Sequence, residues 1–299
     1  MERYLIINAD DFGMCRAANF GVFDLLKSGG ITSSTIMAPC GWAPEAVKFA
    51  KEHPEFAIGV HLTTTAEWEN YRWGPVCSGE NSSLRDKDGY FYHECDEFEE
   101  HADLEEVERE IKAQIEKLKS LGLNPSHLDN HMGSLYGVAT GRFELLELMI
   151  KIAGEYQLPL RMPMNFTDEQ FGNTMLDVQA PKELVLGLIG KVVAYGKSLG
   201  VAMPDYLMPG DWSGPQADSY ENFKEYIYEM YRGFPEGVVE TYIHPAYETD
   251  ELKGTTGCWN RRVWEYKLFS DPQTKQHIDS LGIKLINYRD LAKMRAEGR

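Results

Sequence analysis

The chain has 299 residues, 43% of them hydrophobic, and a formal net charge of −17 from 47 acidic and 30 basic side chains. This charge disfavours nucleic acids and anionic membranes as partners, because it repels their phosphates. We expect neither a membrane span nor a secretory signal peptide, since no apolar run has the required length or pattern. Five scattered cysteines without CxxC spacing favour a reduced, cytoplasmic protein, and a homo-oligomer stays open.

The first part of the sequence alternates short apolar runs with helical patterns. Strands are predicted at residues 4–9, 32–38 and 56–61, and helices at 15–28 and 44–52. Strands that alternate with helices are joined by crossovers and form a parallel sheet. We therefore predict an α/β fold in one domain that comprises the whole chain.

The second part continues this alternation. The helix predicted at 103–121 has the clearest pattern, because its apolar residues recur every three or four positions and Gly122 follows as a stop. The remaining elements are strands at 126–131, 158–161, 238–244 and 283–287, helices at 143–156 and 181–199, and a final helix from 290 onward. Residues 63–101 interrupt the pattern and are predicted to form a lid-like insertion.

The lid-like insertion is rich in aromatic residues. Sugar rings have apolar C–H faces that stack on aromatic planes, so Trp68 and Trp73 are candidate substrate contacts. Tyr136, beyond the strand at 126–131, is a further candidate. The alternative is that the aromatic side chains of the insertion pin it to the rest of the protein as a small satellite core.

Chemically active side chains fall where predicted strands end. Those at or just past a strand end are Asp10, Asp11, His61, His131, Arg161 and His244. In a (β/α) barrel, the carboxyl ends of the strands form the face that carries the active site. We therefore predict a functional site at the carboxyl ends of the strands.

The adjacent Asp10 and Asp11 have two interpretations. Aspartate often caps a helix, and a helix is predicted directly after this pair. Two neighbouring carboxylates can also divide tasks, one binding a cation and the other acting as a base. Because histidines end two other strands, we favour the functional interpretation.

A second polar group lies in the strand at 126–131. His127, Asp129 and His131 alternate, so on a strand they share one face. Two imidazoles and a carboxylate suit zinc or a similar divalent ion, whereas the alternative is a polar ladder inside the barrel. His61, taken alone, is more often a buried core histidine than a ligand.

His244 and Arg161 each have a functional and a structural interpretation. His244 precedes a proline at a strand end, where it could act as an acid or base or lie in a surface loop. Arg161 could orient a catalytic carboxylate or form a structural ion pair.

Five segments together resemble the YdjC-like carbohydrate deacetylase family. They extend from residue 4 to about residue 247, and the string NADDFG is the most specific of them. The segments are YLIINADDFG at 4–13, ITSST at 31–35, AIGVHL at 57–62, SHLDNH at 126–131 and HPA at 244–246.

The resemblance implies an irregular (β/α) barrel of the glycoside hydrolase/deacetylase type. It also implies one divalent metal, zinc or magnesium, bound by Asp11, His61 and His131. Asp10 is then the expected general base and His244 the expected acid. The family includes enzymes that act on acetylated chitin oligosaccharides, so a small N-acetylated carbohydrate is the expected substrate.

The other polar residues are expected to contact the metal ligands and the general base and to keep them in orientation. Asp129, with His127 beside it, is expected to orient a metal-binding histidine, and Arg161 is expected to orient Asp10. The chain departs from the family pattern after His131, where residues 132–136 replace the further histidines that members often carry. That side of the cleft is therefore expected to differ.

Two other functions compete with sugar deacetylation. A metal-dependent sugar isomerase or epimerase would use the same barrel and metal without releasing acetate. A non-catalytic sugar-binding protein would keep the fold alone, but the complete set of acid, base and ligand residues argues against it.

Overall fold

Seven strands form one parallel sheet in the computed structural model, which describes residues 2–79, 81–172 and 182–298. The strands are β1 (Arg3–Phe12), β2 (Ser33–Ile36), β3 (Ala57–Leu62), β4 (Leu128–Asn130), β5 (Tyr206–Leu207), β6 (Gly237–Ile243) and β7 (Ile283–Leu285). Their order is β4-β3-β2-β1-β6-β5. The long strand β1 pairs along one edge with β7 in its first half and with β2 in its second. The predicted parallel α/β fold is confirmed.

Helices flank the sheet along the described chain. They are α1 (Arg16–Ser28), α2 (Ala43–Glu52), α3 (Cys95–His101), α4 (Leu104–Leu121), α5 (Glu144–Tyr156), α6 (Lys182–Ser198), α7 (Tyr220–Arg232), α8 (Asp250–Thr255), α9 (Trp259–Ser270), α10 (Pro272–Ser280) and α11 (Tyr288–Ala296). The predicted start of α6 at Pro181 lies outside the described residues. Across the ranges that the structure describes, no helix combines the length and apolar character needed to cross a membrane.

Backbone hydrogen bonds continue past both ends of the sheet. Leu160 forms a single parallel bridge with Leu128 of β4, and its N–H donates to the carbonyl of Ala202. The N–H of Asp205 in turn donates to Val238 of β6. The strand predicted at 158–161 is therefore wrong in extent, because only one residue makes a bridge. The curved sheet has the form of a half-barrel, and its exact barrel class stays a prediction.

Side-chain alternation along β1 separates an apolar face from a polar one. Leu5 and Ile7 pack into the main apolar core with the helices. Ile6 belongs to a second cluster with Tyr288 of α11. Asn8 and Asp10 share the face of Ile6 and are also buried. The face of β1 that bears Ile6 is thus apolar near the start of the strand and polar near its end.

The segment predicted as a lid, residues 63–101, packs tightly against α4. The N–H groups of Val76 and Cys77 each donate to the carboxylate of Glu110, at 2.8 Å. Buried Trp73 and Phe91 are joined by a backbone hydrogen bond. Trp73 and Phe91 belong to the main apolar core, so this part of the segment is anchored to the rest of the protein and is not a separate satellite core. It holds the neighbouring residues 67 and 68 at the edge of a cleft, and its role as a lid stays a prediction.

Candidate active site

Asp10 and Asp11 both reach the cleft because β1 is irregular where they lie. Between β1 and β2 the register shifts, so that three steps of β1 from Ala9 to Phe12 match two steps of β2. Asp11 has φ of 60°, which is rare for a residue with a side chain. A bulge of this kind re-aims a side chain. Adjacent residues, which would point to opposite faces of a regular strand, therefore serve one site.

Gly13 supports this turn. It has φ of 88°, and a Cβ atom there would lie 2.8 Å from Cα of Ala43. Only glycine combines that conformation with so close an approach of two backbones. The fold therefore requires glycine at the last position of the NADDFG string.

Asp11, His61 and His131 converge on one point. Oδ1 of Asp11 lies 3.4 Å from Nε2 of His61 and 3.4 Å from Nδ1 of His131. All three residues are buried, and neither carboxylate oxygen of Asp11 has a hydrogen bond of good geometry among the described residues. Two ligand atoms of a tetrahedral zinc site, with bonds of about 2.1 Å, lie roughly 3.4 Å apart. The residues present therefore fit a divalent ion.

His61 is oriented by Asp129. Nδ1 of His61 lies 2.7 Å from Oδ1 of Asp129, whose other oxygen accepts from the hydroxyl of Thr35. Burial lowers the pKa of His61, but Asp129 and Asp11 outweigh it and raise the pKa to about 10. In the metal-free protein His61 is therefore protonated, and a bound cation would take the place of that proton.

His131 is held on its other side by Glu67 of the lid-like segment. Nε2 of His131 lies 2.9 Å from Oε2 of Glu67. Burial lowers the pKa of His131, whereas Glu67 and Asp11 raise it to about 9. The arrangement matches that of His61, since each ring points one nitrogen at Asp11 and the other at a carboxylate. Metal-binding histidines commonly have such a carboxylate partner.

Asp10 is clamped by Arg161. Both terminal guanidinium nitrogens of Arg161 donate to Asp10 at 2.7 Å, and Nε donates to Glu240 at 2.8 Å. Asn8 adds a hydrogen bond of 2.8 Å to Oδ1 of Asp10. The carboxylate of Asp10 is thus fixed in orientation beside that of Asp11.

His244 lines the cleft at the end of β6. Its backbone N–H donates to Oε2 of Glu265 at 2.7 Å. Burial and the charge of Arg262 lower the pKa of His244 to about 4, against the opposing effect of Asp11. The imidazole is therefore neutral at neutral pH before substrate binds.

The cleft has a volume of about 700 Å³, and the convergent residues lie in its wall. Trp68 and Tyr136 also line it, and their contact with substrate stays a prediction. Trp73 does not line it. Its side chain is buried, Nε1 donates to the carbonyl of Thr65 at 2.8 Å, and its ring packs against His131. The position of Trp73 thus corrects the expectation that it contacts substrate.

His127 lies behind the site. Its Nε2 is 3.2 Å from Oδ1 of Asn8, and its ring stacks on Tyr288 at 3.7 Å. Burial lowers the pKa of His127 to about 3. A neutral ring in this place supports Asn8, which in turn contacts Asp10 and Asp129.

Three ionisable residues of the cleft were not predicted from the sequence. Arg262 lies with Nη2 at 2.8 Å from Oδ2 of Asp11, and Glu265 holds the backbone of His244. Both belong to α9, where a spacing of three places them on one face, but that helix was not predicted. Glu67 was missed because its segment has no periodic pattern. Asn8 offered a usable signal, since it precedes Asp10 by two on a strand.

Known proteins resemble this chain in sequence and in fold. The sequence matches the YdjC-like protein family over residues 4–280. A carbohydrate deacetylase of Enterococcus faecalis is 30% identical over 294 residues, which cover 97% of this chain and 99% of that protein. One from Thermoanaerobacter pseudethanolicus is 28% identical over 287 residues, or 96% and 98% of the two chains.

One solved structure extends the comparison to the fold. It is an Enterococcus faecalis protein with the provisional name of cellobiose-phosphate cleavage protein, and it is 30% identical to this chain. The two structures match with a TM-score of 0.75 over 97% of this chain and 99% of that one. The resemblance predicted from the motifs is confirmed, and the chain belongs to the YdjC-like family.

Proposed function

We propose that this protein is a metal-dependent deacetylase that removes the acetyl group from an N-acetylated sugar or short chitin-like oligosaccharide. The observation that carries the proposal is the convergence of Asp11, His61 and His131, next to a second, clamped carboxylate on Asp10. The names of the relatives, carbohydrate deacetylases, support the substrate class and the reaction.

One carboxylate oxygen and two imidazole nitrogens form a donor set that suits zinc better than magnesium, so zinc is the first choice. A divalent ion held there supplies two things, polarisation of the acetyl carbonyl and a lower pKa for the attacking water. The role of Asp11, His61 and His131 is to bind that ion. Asp129 and Glu67 keep the two rings in place.

Asp10 is the proposed general base. Its carboxylate lines the cleft, is held by Arg161 and is not one of the three converging ligands. It takes a proton from the water that attacks the acetyl carbon. The clamp by Arg161 keeps the carboxylate oriented, so little reorganisation is needed when the proton arrives.

His244 is the proposed general acid. The departing amine is a poor leaving group unless it is protonated, and His244 lines the same cleft as Asp10. Because its lowered pKa leaves the free imidazole neutral, His244 must accept a proton within the complex before it donates one. The proton removed from the water by Asp10 is the proposed source.

The cleft suits a carbohydrate in size and lining. A volume of about 700 Å³ is in the range of small-molecule sites. Trp68 and Tyr136 offer aromatic surface beside the convergent residues, and aromatic planes pack against the C–H faces of sugar rings. The residue set from Met132 to Tyr136, which departs from the family pattern, lies on this side and is proposed to tune the choice of sugar.

We also propose a barrel architecture, a single domain with a lid and a cytoplasmic location for this protein. A barrel of the glycoside hydrolase/deacetylase type is supported by the backbone bonds that continue through Leu160 and Asp205 between the ends of the sheet. A single domain is supported by the bonds of Val76 and Cys77 to Glu110 of α4, and a lid-like role of residues 63–101 is supported by Glu67 and Trp68, which line the cleft. Cytoplasmic location is supported by five cysteines without a disulfide.

An acetate-release assay tests the function. The purified protein is stripped of metal and incubated with N-acetylated mono- and disaccharides and chitin oligosaccharides, with and without Zn²⁺, Mg²⁺ or Co²⁺. We expect metal-dependent release of acetate, lost in Asp11→Asn and kept in the matched surface variant Glu100→Gln. Conversion of a sugar without acetate release identifies an isomerase or epimerase instead, and binding without turnover identifies a sugar-binding protein.

A further inference from the structure

The two carboxylate oxygens of Asp11 have different neighbours. Oδ1 faces the imidazoles of His61 and His131, at 3.4 Å from each. Oδ2 faces Nη2 of Arg262 at 2.8 Å. A carboxylate can bind a cation through one oxygen or through both, so the occupant of Oδ2 decides which mode Asp11 can adopt.

Arg262 is built into this position. Its side chain is only about a tenth exposed, and its guanidinium lies 5.3 Å from the centre of the Trp68 ring. Its backbone carbonyl accepts a hydrogen bond from Ala246, two residues beyond His244. The helix that carries Arg262 is therefore tied to the end of β6, and the guanidinium has little freedom to leave Asp11.

Burial makes the contact strong. Asp11 is fully buried, and Nη2 of Arg262 lies 2.8 Å from its carboxylate. Breaking such a buried pair leaves an uncompensated charge, which costs far more than breaking one at the surface. A second nitrogen, Nη1, is buried without a hydrogen-bond partner among the described residues. Among the described residues, the guanidinium therefore forms its ion pair with Asp11.

We propose that Arg262 is a positioning residue that occupies Oδ2 of Asp11 and so limits Asp11 to one oxygen, Oδ1, for the metal. This inference rests on the proposed metal site. Catalytic zinc sites keep a coordination position open for water or substrate, whereas structural sites are closed. A carboxylate free to bind through both oxygens would fill that position. Arg262 therefore keeps the site open at the expense of some affinity for the ion, since its own charge repels it.

Substitution of Arg262 by methionine separates these effects. We expect Arg262→Met to bind Co²⁺ at least as tightly as the wild type, with a dissociation constant lower by on the order of tenfold, because a nearby positive charge is removed. We expect the visible absorption of bound Co²⁺ to weaken, as it does when four-coordinate cobalt gains a further ligand. The kcat/KM for acetate release should fall by roughly 10–100-fold.

Two further variants complete the experiment. Arg262→Lys keeps a positive charge beside Oδ2 and should restore most of the wild-type Co²⁺ spectrum. Arg261→Met removes the neighbouring guanidinium, which lies over Trp212 in the same cleft, and should leave the spectrum and the Co²⁺ affinity unchanged. If Arg262→Met does not fold, Arg262→Lys and Arg262→Gln are compared by the same spectrum.

The outcomes are distinguishable from failure of the proposed reaction. An unchanged Co²⁺ spectrum in folded Arg262→Met or Arg262→Gln overturns the positioning role, as does weaker Co²⁺ binding in these variants. A wild-type protein that binds no Co²⁺ overturns it as well. A wild-type protein that binds Co²⁺ with the expected spectrum but releases no acetate contradicts the deacetylase proposal alone, because the spectrum does not depend on turnover.

Discussion

Arg161 donates to both oxygens of Asp10, with Nη1 at 2.7 Å from Oδ2 and Nη2 at 2.7 Å from Oδ1. The same guanidinium reaches Glu240 through Nε and lies 3.1 Å from Asp129. One buried cation thus links the proposed base with the carboxylate that orients His61. The two halves of the site, metal binding and proton transfer, are held by a single network.

Substitution of Asp10 by asparagine should separate those halves. The ligands Asp11, His61 and His131 remain, so metal affinity should change little, whereas the proton acceptor is lost. We expect kcat to fall on the order of 10²-fold or more, measured by acetate release on metal-saturated protein. Titration with Zn²⁺ provides the control. Near-normal turnover in the metal-loaded variant would reject Asp10 as the base.

Metal binding should stabilise the protein through Asp11, His61 and His131. A ligand that binds only the folded state adds about 2.7 kcal/mol at a concentration of 100 times Kd. We therefore expect excess Zn²⁺ to raise the Tm of the stripped wild type and of Asp10→Asn by several degrees. His61→Ala should show no such rise. A similar rise in His61→Ala would place the ion elsewhere.

The order of strands and helices could be predicted because the buried side of an element requires apolar residues at regular intervals in the sequence. In α4, apolar side chains recur every three or four residues, and in β3 every residue is buried, so the pattern is visible in the sequence. In α9 it is not. That helix lies at the edge of the cleft and buries the ionisable Arg262 and Glu265 together with apolar side chains. Because its buried face is partly polar, the sequence shows no continuous hydrophobic stripe.

His61 and His131 could be predicted because they lie at or just past the ends of strands, whereas Asp11 reaches the site through the irregularity of β1. The partners of these residues are harder to predict. Asp129 shares a strand face with His131, so its place near the ligands follows from alternation. Glu67 lies in a loop and Arg262 in a helix, each far in sequence from its own partner, His131 or Asp11, and only the folded chain brings them together. Trp73 was misplaced for a related reason, since composition does not tell which aromatic of a loop faces inward.

The buried carboxyl of Glu265 should make stability depend on pH. Burial, with the charges of Asp10 and Asp11, raises the pKa of Glu265 from 4.5 to about 8 in the folded protein. Between these values the folded state binds more protons than the unfolded one, so the contribution of Glu265 to stability is lost as pH rises towards 8. Glu265→Gln removes this dependence.

We expect Glu265→Gln to gain stability over the wild type on going from pH 5 to pH 9. The gain should be on the order of a few kcal/mol, since each unit between folded and unfolded pKa corresponds to about 1.4 kcal/mol. Urea unfolding at both pH values measures it, with Glu100→Gln as the control for an exposed carboxylate. If the difference in unfolding free energy between Glu265→Gln and the wild type is the same at pH 5 and pH 9, Glu265 does not titrate in this range.

His244→Ala should discriminate between leaving groups. An amine must be protonated as it departs, whereas an activated ester leaves as a stable anion, so only the amide needs the acid. We expect kcat/KM for an N-acetylated sugar to fall on the order of 10²-fold or more, and that for an aryl acetate to fall much less. The ratio of the two rates is the measurement. Equal losses on both substrates would contradict the assignment.

Trp68 and Trp73 lie edge to face with ring centres 5.5 Å apart, yet they should respond differently to substitution. Trp73 is 4% exposed and packs among Thr65, Tyr71 and His131, so Trp73→Ala should cost about 3–5 kcal/mol of stability.

Trp68 lines the cleft and its ring faces the Arg262 guanidinium, so it is available to a sugar ring in a way that Trp73 is not. We expect Trp68→Ala to raise KM for the N-acetylated sugar with a smaller change in kcat and in the free energy of unfolding, because the lost contact is made by bound substrate. Steady-state kinetics and urea unfolding on both variants give the comparison. If Trp68→Ala unfolds as early as Trp73→Ala while the folded fraction keeps the wild-type KM, both rings are structural and the sugar binds elsewhere in the cleft.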